Sequence, residues 1–263
     1  PDDFRDVDFN ADLYDYAPQT YLQTPQERRA LFAQARYEFS PSLAFAADVL
    51  LNQRRSKQQV APSDILLDST NTGTNDAIAI AADNIYNPFG EPVAIALRRI
   101  VEAGPRRFAQ SNDTNRLHLA LDGTAMLAGR DLTWRVDAST THASQREDTG
   151  PYGDDSRLAL AVGPSFFDGA GRAQCGTPAA PIAGCVALNL FGPPGSITPP
   201  MLDYVTANEV NRNRNDSRQI EAQVSGNDIA PLPGGGLGLA AGISHRRESG
   251  SARLDPLEVS GDA

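Results

Sequence analysis

The sequence predicts an all-β fold, an antiparallel up-and-down meander of long hairpins with about six strands. Apolar and polar residues alternate with a period of two in several runs, which is the pattern of strands that have one apolar face. Short turns join these runs in pairs, and long connections separate the pairs. Each pair therefore forms a hairpin, and consecutive hairpins run up and down.

The first hairpin is predicted from about residue 29 to residue 54, with its turn at Ser40-Pro41-Ser42. Its apolar face carries Leu31, Tyr37, Phe45 and Val49, together with Phe39, Leu43, Leu51 and the alanines at positions 33, 35 and 47. The opposite face carries Arg36, Glu38, Asp48 and Arg54.

The second hairpin turns around residues 128–131. Its apolar face carries Leu117, Leu119, Leu121, Trp134 and Val136. Its polar face carries Arg116, His118, Asp122, Arg135 and Asp137.

The third hairpin carries Ile220 and Val224 on its apolar face and Glu221 on its polar face, with a turn within residues 231–236. Its returning strand is expected from about Leu237 to His245.

Long connections, roughly residues 56–105 and 146–212, alternate with these short turns, a layout typical of an outer-membrane barrel. We therefore expect the meander to be an incomplete part of a large transmembrane β-barrel with long extracellular loops. The apolar residues would face lipid, and the polar residues would line a watery lumen. Tyr37 and Trp134, close to the short turns, are expected in an aromatic girdle at the membrane interface.

Composition excludes several functions. The net charge is −10 and the isoelectric point is about 4.7, which disfavours nucleic-acid binding because phosphate contacts need clustered basic residues. The three histidines, His118, His142 and His245, fall in different hairpins, and neither metal-ligand spacings nor a phosphate-binding loop are present. The sequence predicts no enzyme, no cofactor and no metal site.

Two local features concern the second long connection. Cys175 and Cys185 lie close together in a loop rich in proline and glycine, which predicts a disulfide and an oxidising compartment. Residues 198–207 predict a short helix with Thr198 as the N-cap and Pro199 as its first residue. No apolar run approaches the length of a transmembrane helix, and the chain begins at Pro1 without a signal-peptide pattern.

Four stretches of sequence resemble one branch of the TonB-dependent receptors. Residues 84–90 are similar to that branch's Asn-Pro-Tyr-Asn-Pro-Phe-Gly loop motif, with Ile85 in place of the first proline. The other stretches are residues 16–18 with 21–28, residues 189–192 with 197–205, and residues 246–249 at an expected strand end.

The resemblance implies a function that the residues alone do not. Such receptors are barrels of about 22 strands, filled by a plug, that import siderophore-bound iron, cobalamin or saccharides across the Gram-negative outer membrane. Residues 1–263 would then be a partial barrel domain without the plug and the C-terminal closing strands. The implied partners are outer-membrane lipid, the plug with the remaining strands, and the TonB energising complex acting through that plug. The small-molecule ligand and its binding residues are not implied.

Two alternatives stay open at this point. A soluble secreted β-sandwich, serving as a binding or adhesion module, would cover its apolar face with a second sheet. A small closed barrel of about eight strands would need two more strands, for which residues 92–101 and 156–162 are the candidates.

Overall fold

The computed structural model describes residues 5, 6, 8, 12–71 and 77–262, and strands dominate it. In chain order the strands are β1 Gln26–Ser40, β2 Leu43–Val60, β3 Asp64–Asp68, β4 Ile95–Arg99, β5 Arg106–Leu127, β6 Arg130–Gly153, β7 Ser165–Phe167, β8 Ala173–Thr177, β9 Ala180–Pro181, β10 Thr206–Leu232 and β11 Gly235–Arg253. The fold is therefore all-β, as the alternating pattern predicts.

Six strands form one antiparallel sheet in the order β1-β2-β5-β6-β10-β11. Every neighbour in the sheet is also the preceding or following long strand in the chain, so the sheet is an up-and-down meander with the predicted three hairpins. The strands are 15 to 27 residues long. This exceeds the usual strand length of about 5–6 residues in globular proteins.

All three hairpin turns are short and lie at the same end of the sheet. Two residues separate the strands in each: 41–42, 128–129 and 233–234. In the second turn Ala128 and Gly129 have φ values of 49° and 74°. Positive φ at both central residues matches the twist of a hairpin, which explains the glycine.

The short helices lie in the long connections and at the C-terminal side of β11. They are α1 Asp155–Ala161, α2 Pro199–Val205 and α3 Pro256–Ser260, with 3-10 turns at Ala17–Gln19 and Val101–Ala103. Helix α2 confirms the predicted helix, with Thr198 as N-cap and proline in its first turn. Helix α1 occupies the segment that the small closed barrel would need as a strand, residues 156–162; the Asp154 side chain caps it by accepting from the Arg157 N–H.

The two long connections fold together into one packed unit, which we call the cap: residues 61–71, 77–105 and 154–205. Its core holds twelve buried side chains contributed by both connections: Ile65, Leu67, Ile78, Ile80, Ile100, Leu158, Ala161, Val162, Leu188, Ile197, Met201 and Val205. Strands β3 and β4 pair with each other, and β7, β8 and β9 form a three-stranded sheet. The cap lies at the strand ends opposite the short turns.

This arrangement also rules out the small closed barrel. Residues 156–161 are helical, and the strand within residues 92–101 pairs with β3 instead of the main sheet. Among the described residues no strand pairs with the outer side of β1 or β11, so the six-stranded sheet is open.

Candidate functional site

The pairing register assembles the predicted apolar positions into one continuous face of the six-stranded sheet. Leu31 lies opposite Leu51, Phe45 opposite Leu121, and Leu121 in turn opposite Val136. We call this face the apolar band. It contains every side chain predicted to face lipid: Leu31, Tyr37, Phe45, Val49, Leu117, Leu119, Leu121, Trp134, Val136, Ile220 and Val224.

The apolar band is bare. Leu31, Tyr37 and Ile220 are 59%, 63% and 58% exposed, whereas Phe45 and Trp134 are half-buried by their neighbours within the sheet. None of the band residues belongs to either buried hydrophobic cluster, because both clusters lie in the cap. A contiguous apolar surface of this size in contact with water is unfavourable and marks an interaction surface.

The upper edge of the apolar band slants across the strands. The last large apolar residue toward the cap is Leu51 in β2, Leu117 in β5, Val136 in β6, Ile220 in β10 and Ile243 in β11. Relative to Leu51, these residues lie one, three, two and three steps of two residues closer to the short turns in the pairing register. From β1 to β11 the drop is about 20 Å along the strands, over about 24 Å across them. The edge therefore makes an angle of about 40° with the hydrogen-bonding direction.

Aromatic side chains occupy the band near the short turns. Tyr37 and Phe39 pack edge to face with ring centroids 4.9 Å apart. Trp134 lies opposite Gly123, and its indole ring covers the space that a side chain on Gly123 would fill. Both predicted girdle residues thus lie on the apolar face toward the turn end.

The opposite face of the sheet, which we call the polar face, carries the side chains predicted to face the lumen. Two charged contacts join strands on this face, the first of them across β2. Arg36 donates two hydrogen bonds to the Asp122 carboxylate, at 3.0 and 2.9 Å. His118 Nδ1 lies 2.6 Å from Asp48 Oδ2.

The remaining predicted residues of the polar face are only partly brought into this network. Arg135 Nε donates to Asp137 Oδ1 at 3.3 Å, and His118 Nε2 lies 4.0 Å from the other Asp137 oxygen. Glu221 accepts from Gln219 at 3.1 Å. Arg54 and Arg116 are exposed and form no ion pair among the described residues.

The two faces invert the burial of an ordinary soluble protein. The side chains of His118, Asp48 and Asp137 are 16% to 20% exposed, far less than Tyr37 on the apolar face. Toward the short turns the polar face opens into a cleft of about 450 Å³ whose lining includes Arg36, Asp122 and Arg135. Such a cleft offers charged hydrogen-bonding groups to a partner on the polar side.

The cap brings together two of the stretches that carry the family resemblance. Asn84 is buried, and its side-chain amide donates to the carbonyl oxygens of Ala161 and Gly163 in the other connection. The rings of Phe89 and Phe191 pack edge to face with centroids 5.8 Å apart. These residues join the two connections, so their role in the structure is to hold the cap together.

One buried charged pair in the cap escapes sequence reasoning. The Arg98 guanidinium donates to the carbonyls of Asn189 and Gly192 and to the Glu102 carboxylate. Glu102 Oε1 also accepts from the backbone N–H of Gly195 at 2.8 Å. The only sequence signal for this pair is that Arg98 and Glu102 are four residues apart. Oppositely charged residues at that spacing are common on exposed surfaces.

The predicted disulfide is present. Cys175 and Cys185 are bonded, with Cα atoms 5.7 Å apart, and both are buried. The bond ties β8 to the following loop beside Ile85 and Tyr86. Closing so short a loop stabilises by about 2–3 kcal/mol.

Within the described residues no cluster of three or more His, Cys, Asp or Glu side chains is arranged to hold a metal ion. No helix in the described part of the chain is long and apolar enough to cross a membrane. When the chain is compared with models of protein families, with curated proteins and with solved structures, no match is found.

Proposed function

We propose that this chain is a section of the barrel wall of an outer-membrane transporter of the TonB-dependent receptor class, which takes up a scarce nutrient such as siderophore-bound iron, cobalamin or a saccharide. The observation that carries the proposal is the apolar band: a continuous, bare apolar surface on one face of six long strands, with charged side chains on the other. Lipid tails on one side and a wet lumen on the other would match both faces.

The slant of the apolar band supports the same assignment. A bilayer covers a horizontal belt, so its edge crosses tilted strands at an angle set by their tilt. The observed angle of about 40° falls within the tilt of about 35–45° that transmembrane barrels have. In β1 the band runs from Leu31 to Phe39, which corresponds to a height of about 21 Å after correction for that tilt, close to the apolar belt of about 25 Å in such barrels.

The two open edges of the sheet require further strands as hydrogen-bonding partners. In lipid every backbone N–H and C=O group must be hydrogen-bonded within protein. The outer sides of β1 and β11 therefore require the remaining barrel strands as partners. We assign the polar face to contact with a plug domain, through which the TonB complex would energise transport.

The resemblance of residues 84–90 and 189–192 to one branch of these receptors supports the class, and their packing against each other in the cap gives both stretches a common role. The cap would then lie on the extracellular side. The ligand is not identified by any described side chain.

The bare band weighs against a secreted β-sandwich module. A sandwich gains its stability by burying the apolar faces of two sheets against each other. Here the cap contains the only buried hydrophobic clusters of the described residues, and neither includes Leu117, Leu119 or Val136. If the chain were a β-sandwich module, these apolar side chains would remain exposed to water, which is unfavourable.

The single tryptophan of the chain provides a direct test. In vesicles whose lipid tails carry bromine, a heavy-atom quencher, we expect the fluorescence of Trp134 to be quenched. Because Trp134 lies near the short turns, bromine placed close to the headgroups should quench more than bromine at the bilayer centre.

A matched control moves the fluorophore to the other face. In the background Trp134→Phe, the variant Arg135→Trp places an indole on the polar face of the same strand. Quenching by brominated lipid should then be lost, and a water-soluble quencher such as iodide should act instead. Equal quenching by brominated lipid at both positions, or none at either, would contradict the proposal.

A further inference from the structure

Exposed arginines lie on the same face of the sheet as the apolar band, beyond its upper edge, which is the edge on the side of the cap. They belong to the same side of the strands as Ile220, because each lies an even number of residues from an apolar band position with no register shift between them. Six of them lie on three neighbouring strands: Arg146, Arg212, Arg214, Arg218, Arg247 and Arg253.

Within this group, arginines lie directly opposite one another. Arg218 pairs with Arg247 one step above the Ile220–His245 pair. Further along, Arg212 lies between Arg146 on one side and Arg253 on the other. Like charges at directly paired positions destabilise a sheet unless a counterion lies between them.

The acidic residue nearest to the Arg218–Arg247 pair is already engaged. Asp216 accepts from Arg214 Nε at 2.9 Å and lies 2.8 Å from His142 Nδ1. No ion pair among the described residues includes Arg218 or Arg247, so the only carboxylate beside their two positive charges is that of Asp216, which is shared with Arg214 and His142. This happens in a chain whose net charge is −10, so the cluster does not reflect a generally basic protein.

A shallow cleft of about 300 Å³ lies among these side chains. Its lining is Arg214, Asp216, Arg218, Arg247 and Ser249, three guanidinium groups against one carboxylate with a serine hydroxyl. Planar guanidinium groups bind phosphate through paired N–H donors, so this lining is chemically suited to a phosphate group.

The height of the cleft above the apolar band identifies the kind of phosphate. Arg218 lies one step of two residues beyond Ile220, which corresponds to about 5 Å above the band edge on a strand tilted by about 40°. Arg247 lies two steps beyond Ile243, about 10 Å above the edge. The headgroup layer on each side of the hydrocarbon core is about 5–8 Å thick, so Arg218 lies at headgroup height and Arg247 lies close to the outer limit of that layer.

From these positions we infer that Arg218 and Arg247, with Arg214 and Ser249, bind the phosphate of a lipid headgroup in the leaflet on the cap side of the membrane. The inference rests on the proposed membrane orientation. A lipid satisfies both neighbouring surfaces at once, since its tails cover the apolar band and its phosphate neutralises the paired arginines. Free inorganic phosphate would satisfy only the second.

The test compares binding of the detergent-solubilised chain to two kinds of vesicle in a flotation assay. One kind is pure phosphatidylcholine, and the other contains phosphatidic acid, a lipid with an exposed phosphate monoester. We expect tighter binding to the second kind. The double variant R218Q/R247Q should lose about 25-fold of that affinity, from about fivefold per arginine near an anionic surface, while its binding to pure phosphatidylcholine should be unchanged.

The matched control is R54Q/R116Q, which removes the same charge from two exposed arginines on the polar face. This variant should keep the wild-type preference for phosphatidic acid. The inference is overturned if R218Q/R247Q keeps that preference, if R54Q/R116Q loses it equally, or if millimolar inorganic phosphate abolishes it at constant ionic strength. Failure of the wild-type chain to bind either vesicle would instead count against the proposed membrane function itself.

Discussion

At the turn end of the sheet, a single glycine allows an aromatic residue to lie flat over its neighbour. A Cβ atom on Gly123 would clash with the Ser42 carbonyl oxygen and would lie 2.9 Å from Trp134 Cζ2. The first contact is with backbone, which cannot swing away as a side chain can. This close approach joins the first turn to the second hairpin and fixes the position of the indole.

Gly123→Ala is therefore expected to destabilise the sheet by about 1–3 kcal/mol, the usual effect of adding a methyl group to a closely packed site. The measurement is urea unfolding in detergent, followed by Trp134 fluorescence. Gly169→Ala is the matched control, because a Cβ at Gly169 meets nothing within 4 Å. Equal stability of both variants would show that the Gly123 contact relaxes without cost.

A second prediction at the scale of single residues concerns pH. Burial raises the pKa of Glu102, but hydrogen bonds from the backbone N–H groups of Glu102, Gly195 and Ile197, together with the Arg98 charge, outweigh it. The net result is a pKa below the ordinary value of 4.5. A carboxylate whose pKa is lowered by folding stabilises the fold above its unfolded pKa, and this stabilisation is lost as the pH falls through the folded pKa.

We expect the cap to lose stability as the pH is lowered below about 4.5. Glu102→Gln should be less stable than the wild type at neutral pH and should flatten this part of the profile. The pH dependence of cap stability is measured by hydrogen exchange of the Gly195 and Ile197 amides over a pH series, after correction for intrinsic exchange rates. Glu91→Gln, at an exposed position of the same cap, should follow the wild-type profile. If cap stability falls with pH as steeply in E102Q as in the wild type, Glu102 is not the cause of the pH dependence.

At the scale of elements, the strands of the sheet extend beyond the runs of alternating apolar and polar residues that predict them. The third hairpin was predicted to return from about residue 237 to residue 245, whereas β11 continues to Arg253. Residues 246–249 therefore lie inside a strand and not at its end, which corrects the expectation. Beyond the apolar band both faces are polar, so the pattern disappears although backbone pairing continues.

The candidate strand of the small-barrel alternative at residues 156–162 has a similar physical origin. Leu158, Leu160 and Val162 alternate, which is the strand pattern. The structure buries Leu158, Ala161 and Val162 instead and leaves Leu160 41% exposed, which is the spacing of a helix face. Seven residues are too few for periodicity to distinguish the two, and the capping by Asp154 favours the helix.

The disulfide belongs to the element scale as well, since its loop length made it predictable and its surroundings did not. Cys175 and Cys185 were expected to join from proximity in the chain alone. That the bond lies against Ala187, Ile85 and Tyr86, and thereby links the three-stranded sheet to the first connection, depends on contacts between distant segments. The alternating pattern contains no information on such contacts.

For the whole molecule, the slanted edge of the apolar band leads to a quantitative prediction. In oriented bilayers, polarised infrared absorption of the amide I band should report strands tilted by about 40° from the membrane normal. The reason is that lipid covers a level belt, and only this tilt brings the stepped edge from Leu51 to Ile243 level. Strands lying flat in the membrane plane would contradict an inserted barrel wall and would indicate adsorption on the surface.

Local sequence alone accounts for the six long strands, the three short turns, the two chemically distinct faces and the disulfide. Each depends on residues that are neighbours in the chain or alternate along it, and local geometry acts on these directly. Three other features arise only from tertiary contacts: the cap, the Arg98–Glu102 pair and the arginine pairs such as Arg218–Arg247. They depend on register between strands and on packing between the two long connections, where residues far apart in sequence come together, and no periodicity of the chain encodes those distances.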